Sequence, residues 1–197
     1  MNLNFGPSFV EIYDNALTKK ECDILISEFD KFNKVKGAVL SNSIKGGTAG
    51  GLIVDTKVKD SIELENCSFL QATKISSILR TRLDICLEEY KKKYSDIFDN
   101  YVSLIAPCYG YTFKKFEKGG GFKRWHYEHG PNDAQNKRVL VWTFYLNNAA
   151  GTDFMFYPTV SGKEGRCVIF PASFNYIHKS APNKSIKYIT TGWIDYV

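Results

Sequence analysis

What restricts the fold most is the run from Tyr101 onward, where short aromatic and β-branched segments alternate with turn clusters. Segments 101–105, 109–116, 122–128, 139–146, 153–157, 166–170 and 187–193 read as strands. They are punctuated by Gly119-Gly120-Gly121, Asn147-Asn148 and Ser161-Gly162. Seven or eight short strands within about 95 residues predict two antiparallel sheets, as a β-sandwich or jelly roll.

The first hundred residues follow a different period. Segment 8–13 alternates as a short strand, and Thr18-Lys19-Lys20-Glu21 has the form of a capping box, so a helix should follow with Leu25, Phe29 and Phe32 on one stripe. Residues 41–57 are rich in turn residues, with Gly46-Gly47 and Gly50-Gly51 before a short strand at Leu52-Ile53-Val54. They read as a surface loop or as a lid over a ligand. A second, longer helix is expected over 68–99, because Ile75, Leu79, Leu83, Cys86 and Tyr90 recur at helical spacing. Its Lys91-Lys92-Lys93 run reads as a solvated face. No linker, repeat or low-complexity tail divides the chain, so one domain over 1–197 is expected: 1–100 as helical support, 101–197 as the core.

Composition excludes several classes. With 197 residues, 44% hydrophobic, and no long apolar stretch, the chain reads as globular without a membrane span. Residues 1–7 lack an export signal, which makes a cytoplasmic location the expectation. Five cysteines with no short spacing argue against a disulfide framework or structural zinc. A net charge of +5 fits an anionic small molecule or simple solubility. Nucleic acid is not expected, since no basic, aromatic groove or paired-arginine signature is visible. Oligomeric state leaves no sequence signal.

Arg124-Trp125-His126-Tyr127-Glu128 lies in one of the extended segments, where alternation turns His126 and Glu128 to one face. A metal held by this pair needs a third donor, and the only other histidines are His129 and His178. His129 alternates away and runs into Gly130-Pro131-Asn132-Asp133, so it reads as a loop residue. His178 ends the apolar run 170–178. A His-x-Glu pair with a distant histidine is the donor set that leaves positions open on non-haem Fe(II). Each histidine alone reads as well as a structural strand residue, and the spacing is not the HExxH of metalloproteases.

Four pieces then act together: Trp125-His126-Tyr127-Glu128; Phe144-Tyr145-Leu146-Asn147; Gly165-Arg166-Cys167-Val168-Ile169-Phe170-Pro171-Ala172; and His178 followed by Lys187-Tyr188-Ile189-Thr190-Thr191-Gly192-Trp193. In order and spacing they resemble the iron(II)- and 2-oxoglutarate-dependent dioxygenases, in the prolyl 4-hydroxylase-like branch. The resemblance covers 101–197, with a weaker echo over 9–29. It implies an α+β fold built on a double-stranded β-helix, a cupin-like jelly roll with the N-terminal helices packed on one sheet.

The resemblance also implies roles. His126, Glu128 and His178 would be the iron ligands and catalytic centre, with Glu128 where most relatives carry Asp. Lys187, nine residues after His178, would bind the distal carboxylate of 2-oxoglutarate, joined by the Tyr145 phenol. Alternation by twos brings Thr191 and Trp193 to the face of Lys187. Phe116 stands where a tyrosine is frequent, which removes one hydrogen bond. Trp125, Trp193 and Arg138 are assigned to the substrate pocket, Lys184 to its mouth, and Trp142 and Phe144 to its walls. The cofactors would be Fe(II), 2-oxoglutarate and O2, with ascorbate as reductant. The substrate would be a prolyl or other residue of a peptide or protein; the alternatives are a free amino acid or small metabolite, or a non-catalytic metal-binding module.

Overall fold

The computed structural model describes residues 8–37, 39, 40, 52–99 and 105–197. Residues 41–51 of the glycine-rich loop expected over 41–57, and residues 101–104 of the strand expected over 101–105, lie outside the described residues. In chain order the elements begin with β1 (Glu11–Tyr13), α1 (Lys19–Lys31), β2 (Val35–Lys36), β3 (Val39–Leu40), β4 (Leu52–Ile53), β5 (Lys59–Asp60) and β6 (Ile62–Ser68). Next come α2 (Lys74–Lys93), α3 (Ser95–Phe98), β7 (Ile105–Phe116), β8 (Gly121–Phe122) and β9 (Arg138–Tyr145). The chain closes with β10 (Ala149–Phe154), β11 (Val160–Gly162), β12 (Cys167–Pro171), β13 (His178–Ser180) and β14 (Lys187–Tyr196).

The helices start where their caps dictate. Thr18 Oγ1 accepts from the Glu21 amide at 3.2 Å while the Glu21 carboxylate accepts from the Thr18 amide at 2.8 Å, completing the expected capping box. Cys22, Leu25 and Phe29 are buried on α1, whereas Phe32 is the C-cap residue and is 48% exposed, so the stripe is one residue shorter than expected. The long helix starts later than position 68, because Ser68 closes β6 and Thr73 caps the helix by accepting from the Ser76 amide at 3.1 Å. It ends at Lys93, with α3 as a separate turn. Lys91–Lys93 face the C-terminal end of the helix dipole, where positive charge is favourable. β5 and β6 occupy a stretch that the sequence pattern left without strands.

A seven-stranded sheet has the order β1-β12-β9-β14-β7-β6-β2, and a smaller sheet has the order β11-β10-β13. Every pairing is antiparallel. The large sheet is covered on both faces, which is why β9 reads Arg-Val-Leu-Val-Trp-Thr-Phe-Tyr as an almost continuous apolar run. Leu140, Trp142 and Phe144 join the core shared with α1 and α2, while Val141 and Tyr145 join a second core between the sheets. On β14, Gly192 is required by packing, since a Cβ there would come within 2.6 Å of the Trp142 ring. This is an α+β jelly roll backed by helices on one sheet, as expected. Among the described residues no helix is long and apolar enough to cross a membrane, and all five cysteines are free.

Candidate metal centre and cosubstrate cavity

Only part of the expected 122–128 strand is regular. β8 ends at Phe122, and the next ladder contact is a single antiparallel bridge in which His126 and His178 exchange backbone hydrogen bonds of 3.0 and 2.9 Å. Beyond it the chain folds around one carbonyl, Ala172 O, which accepts from the amides of Glu128 (3.1 Å) and His129 (2.9 Å). The extended spacing of His126 and Glu128 survives without a ladder, so both side chains still turn inward.

One donor atom from each of His126, Glu128 and His178 lies within 4.8 Å of the others. The orientation of each is fixed from behind. His126 Nδ1 bonds Arg124 O and His178 Nδ1 bonds Tyr176 O, each at 2.9 Å. A carbonyl accepts only, so both Nδ1 atoms carry the proton and both Nε2 lone pairs face the centre. Phe122 stacks on the His126 ring at 3.8 Å, and Phe170 meets the His178 ring edge-on at 4.9 Å. Glu128 divides its two oxygens. Oε2 accepts from Arg138 at 3.1 Å and from the Trp193 indole at 3.2 Å, which leaves Oε1 toward His126 Nε2 at 3.6 Å. The Arg138 guanidinium also lies 3.6 Å over the Trp193 ring, so the two clamps hold each other.

The charges suit a divalent cation. Burial pulls the His178 imidazole down to about 4, helped by His126 and opposed by Glu128, so it is a neutral ligand at physiological pH. Burial would raise the Glu128 carboxyl, but the imidazoles of His126 and His178, followed by the Lys114 ammonium, hold it well below the usual carboxylate range. Two imidazole nitrogens and one carboxylate oxygen, convergent and held by outer hydrogen bonds, fit Fe(II).

The triad opens into a cavity of about 210 Å³ between the sheets. Lys187, Ile189, Thr191 and Trp193 line it from β14, and Thr112, Lys114 and Phe116 line it from β7. Lys187 is 2% exposed, and its ammonium donates to Gly151 O at 3.0 Å with no ion pair among the described residues. Burial, then the charge of Lys114, lower it to about 8, opposed by Asp153. A buried ammonium with one carbonyl partner fits an incoming carboxylate, so the cavity accommodates the distal end of a 2-oxo acid. Thr191 Oγ1 donates to Trp142 O at 2.7 Å and pairs with Thr143 Oγ1 at 3.0 Å.

Several expected roles shift. The Tyr145 hydroxyl pairs with Thr152 Oγ1 at 2.7 Å, and it is Thr152 that lines the cavity. Burial pushes that phenol up to about 12, so it stays protonated. Arg138, expected at substrate, is held on Glu128 and Trp193. Trp125 is 38% exposed outside the cavity lining, with the Lys179 ammonium 4.4 Å over its ring. Trp142 and Phe144, expected as walls, are fully buried on the helix side, because alternation sends them opposite to Thr143. Lys184 is exposed and not in the cavity lining, and His129 Nδ1 bonds Arg138 O away from the triad. The sequence reading missed Thr152, Thr143, Lys59 and Lys114; stepping by twos back from Phe116 would have turned Lys114 inward.

Residues 111–195, which hold all three candidate ligands and Lys187, match the family model of the 2OG-Fe(II) oxygenase superfamily. The superfamily that the motifs resemble is thus the one whose model matches these residues, and the fold is like that of solved prolyl hydroxylases. The chain is similar to the viral collagen prolyl hydroxylase of Paramecium bursaria Chlorella virus-1 in its 2OG complex, with a TM-score of 0.62 at 18% identity over 98% of both chains. It is also similar to a Pseudomonas putida prolyl-4-hydroxylase, with a TM-score of 0.63 at 11% identity over 96% of this chain and 94% of that one. A third similar structure is a Trichoplax adhaerens prolyl hydroxylase in complex with a hypoxia inducible factor peptide fragment, with a TM-score of 0.67 at 13% identity over 96% and 84%. At these identities the likeness is one of fold. No curated protein sequence gives a significant match.

Proposed function

We propose that the chain is a single-domain Fe(II)- and 2-oxoglutarate-dependent dioxygenase that hydroxylates an unactivated C–H, with a prolyl or other residue of a peptide or protein as substrate. The observation that carries this reading is the convergence of His126, Glu128 and His178 beside a buried Lys187 with no ion pair among the described residues. Bound Fe(II), 2-oxoglutarate and O2 supply oxidative decarboxylation to succinate and carbon dioxide, coupled to hydroxylation of the substrate. Everything else is the work of the protein's own residues.

His126 and His178 present Nε2 in a fixed tautomer, and Glu128 presents one oxygen because Arg138 and Trp193 hold the other. That division also absorbs the longer side chain of glutamate: its outer oxygen is tied back, so the inner one is aimed. Lys187 would anchor the distal carboxylate of the cosubstrate, with Thr152 and the protonated Tyr145 beside it. Phe116, Val141, Ile189 and Phe170 line the cavity with apolar surface and limit water around the reacting carbon. The peptide held by the Trichoplax structure supports a peptide or protein as the substrate class. The deciding assay is anaerobic 2-oxoglutarate binding to the Fe(II)-loaded protein, followed by succinate release on exposure to O2. Succinate that needs both cofactors and disappears in His126→Ala supports the reading. Tight zinc with no binding of 2-oxoglutarate returns the protein to a metal-binding module.

A further inference from the structure

The cavity carries more positive charge than its cosubstrate anchor requires. Besides Lys187, it is lined by Lys59, Lys114 and Lys179, while Glu128 is its one acidic lining residue among those described. Two of these extra lysines have visible occupations. Lys59 pairs with both oxygens of Glu63, at 2.9 and 3.0 Å, and Lys179 lies over the Trp125 ring. Glu63 is further engaged by Ser61, which donates to it at 2.8 Å.

Lys114 is different. It is half-buried in the middle of β7, between Ile189 on β14 and Glu63 on β6, and among the described residues it has no hydrogen bond or ion pair. The register separates it from the cosubstrate anchor: Phe116 lies opposite Lys187, and Lys114 is two residues further along the same face, about 7 Å away. Its charge is felt at Glu63 across the ladder and at Glu128, His178, Lys59 and Lys187, so it stands near all of them while making no hydrogen bond or close ion pair with any. Glu63 is already held by Lys59 and Ser61, so a half-buried ammonium that bonds no carboxylate directly, beside a reaction centre, is a site for a further anion.

We propose that Lys114, with Lys59 beside it, receives a carboxylate of the substrate itself, so that the compound hydroxylated is an acid. This rests on the oxygenase reading above. The same chemistry arises from two sources, the carboxylate of a free amino acid and an acidic side chain in a peptide. Either would be held with its carboxylate on the β7 side of the cavity and its reacting carbon toward the triad, while 2-oxoglutarate occupies the Lys187 side.

The test uses the full chain loaded with Mn(II) and 2-oxoglutarate without oxygen, titrated calorimetrically. The probes are free L-proline, L-glutamate and L-aspartate, and end-capped pentapeptides carrying one Asp or Glu, each beside its carboxamide counterpart. At least one acid is expected to bind about tenfold or more tightly than its amide, as a charge-assisted contact provides. The preference should vanish in Lys114→Met and in Lys114→Gln and persist in Lys114→Arg, while 2-oxoglutarate on Lys187 still binds in all three, weakened by no more than about tenfold. Melting curves of the variants report whether each is folded. Preference among free acids assigns a small metabolite, and preference among capped peptides assigns an acidic residue in a chain. The proposal is overturned if the wild type treats every acid like its amide, if the preference survives Lys114→Met, or if that variant loses 2-oxoglutarate. A wild type that binds no 2-oxoglutarate with metal, seen before any acid is added, overturns the oxygenase reading and this inference with it.

Discussion

On β9, Trp142 and Phe144 turn toward α1 and α2 and are fully buried among apolar side chains, whereas Val141 and Thr143, one step away on the same backbone, turn toward the cavity. β14 repeats the division: Ile194 is buried in the helix-side core, and Lys187, Thr191 and Trp193 face inward. The helix-side face holds the sheet together by apolar burial. The inner face tolerates an ammonium, two imidazoles and a carboxylate, which burial alone would disfavour. Stability and chemistry are thus assigned to opposite sides of the same strands, and substitutions should sort by side.

The largest effect should come from the triad. His126→Ala or His178→Ala is expected to weaken Fe(II) or Mn(II) binding by more than about 100-fold, since losing a ligand exceeds the effect of losing its outer support. Each variant should keep a near-native urea midpoint, and a collapsed midpoint would place the histidine in the core rather than at a metal. On the opposite face, Trp142→Ala should cost about 3–5 kcal/mol in denaturant unfolding. Loss of metal affinity in variant protein that is still folded would contradict the division of faces.

Lys187 gives the comparison a pH axis. Its folded value of about 8 lies below the ordinary 10.5, so below pH 8 the folded state holds an unfavourable buried charge. Between pH 8 and 10.5 the unfolded chain binds more protons than the folded one, and stability of the cosubstrate-free protein should rise through that window. The full difference amounts to about 3 kcal/mol. Subtracting the pH profile of Lys187→Met isolates it, and coincident profiles would remove the buried charge from the account. Binding of 2-oxoglutarate should weaken above pH 8 as the ammonium is lost.

Smaller effects sharpen the contrast. Trp193→Phe keeps the ring but deletes the donor to Glu128 Oε2, and should lower metal affinity about tenfold with little change in melting temperature. Thr18→Ala, at the far end of the helix side, should cost about 1 kcal/mol through the lost cap and leave metal binding untouched. If it shifts metal affinity, the two faces are coupled through α1.

Much of this architecture was legible because it rests on local rules. The capping box at Thr18 and Glu21, the helical spacing from Ile75 to Tyr90, and the alternation through β9 and β14 each follow from backbone geometry acting within a few residues. Legibility failed where pairing is long-range. β13 pairs with β10 across the intervening β11 and β12, and β6 pairs with β7 across the whole of α2, so neither strand is marked by its own composition. Arg138 looked like a pocket residue; only the fold shows Glu128 and Trp193 waiting for it.

The sequence by itself determined the donor set His126, Glu128 and His178, the nine-residue step to Lys187, and the strand-rich half that carries them, because residue type and period are local quantities. The tertiary structure decided which oxygen of Glu128 is free, that Tyr145 meets Thr152, that Trp142 faces the helices, and that Lys114 stands in the cavity without a hydrogen bond or close ion pair among the described residues. Each of those depends on which strands become neighbours and in what register, and a shift of one residue would turn every one of them to the other face.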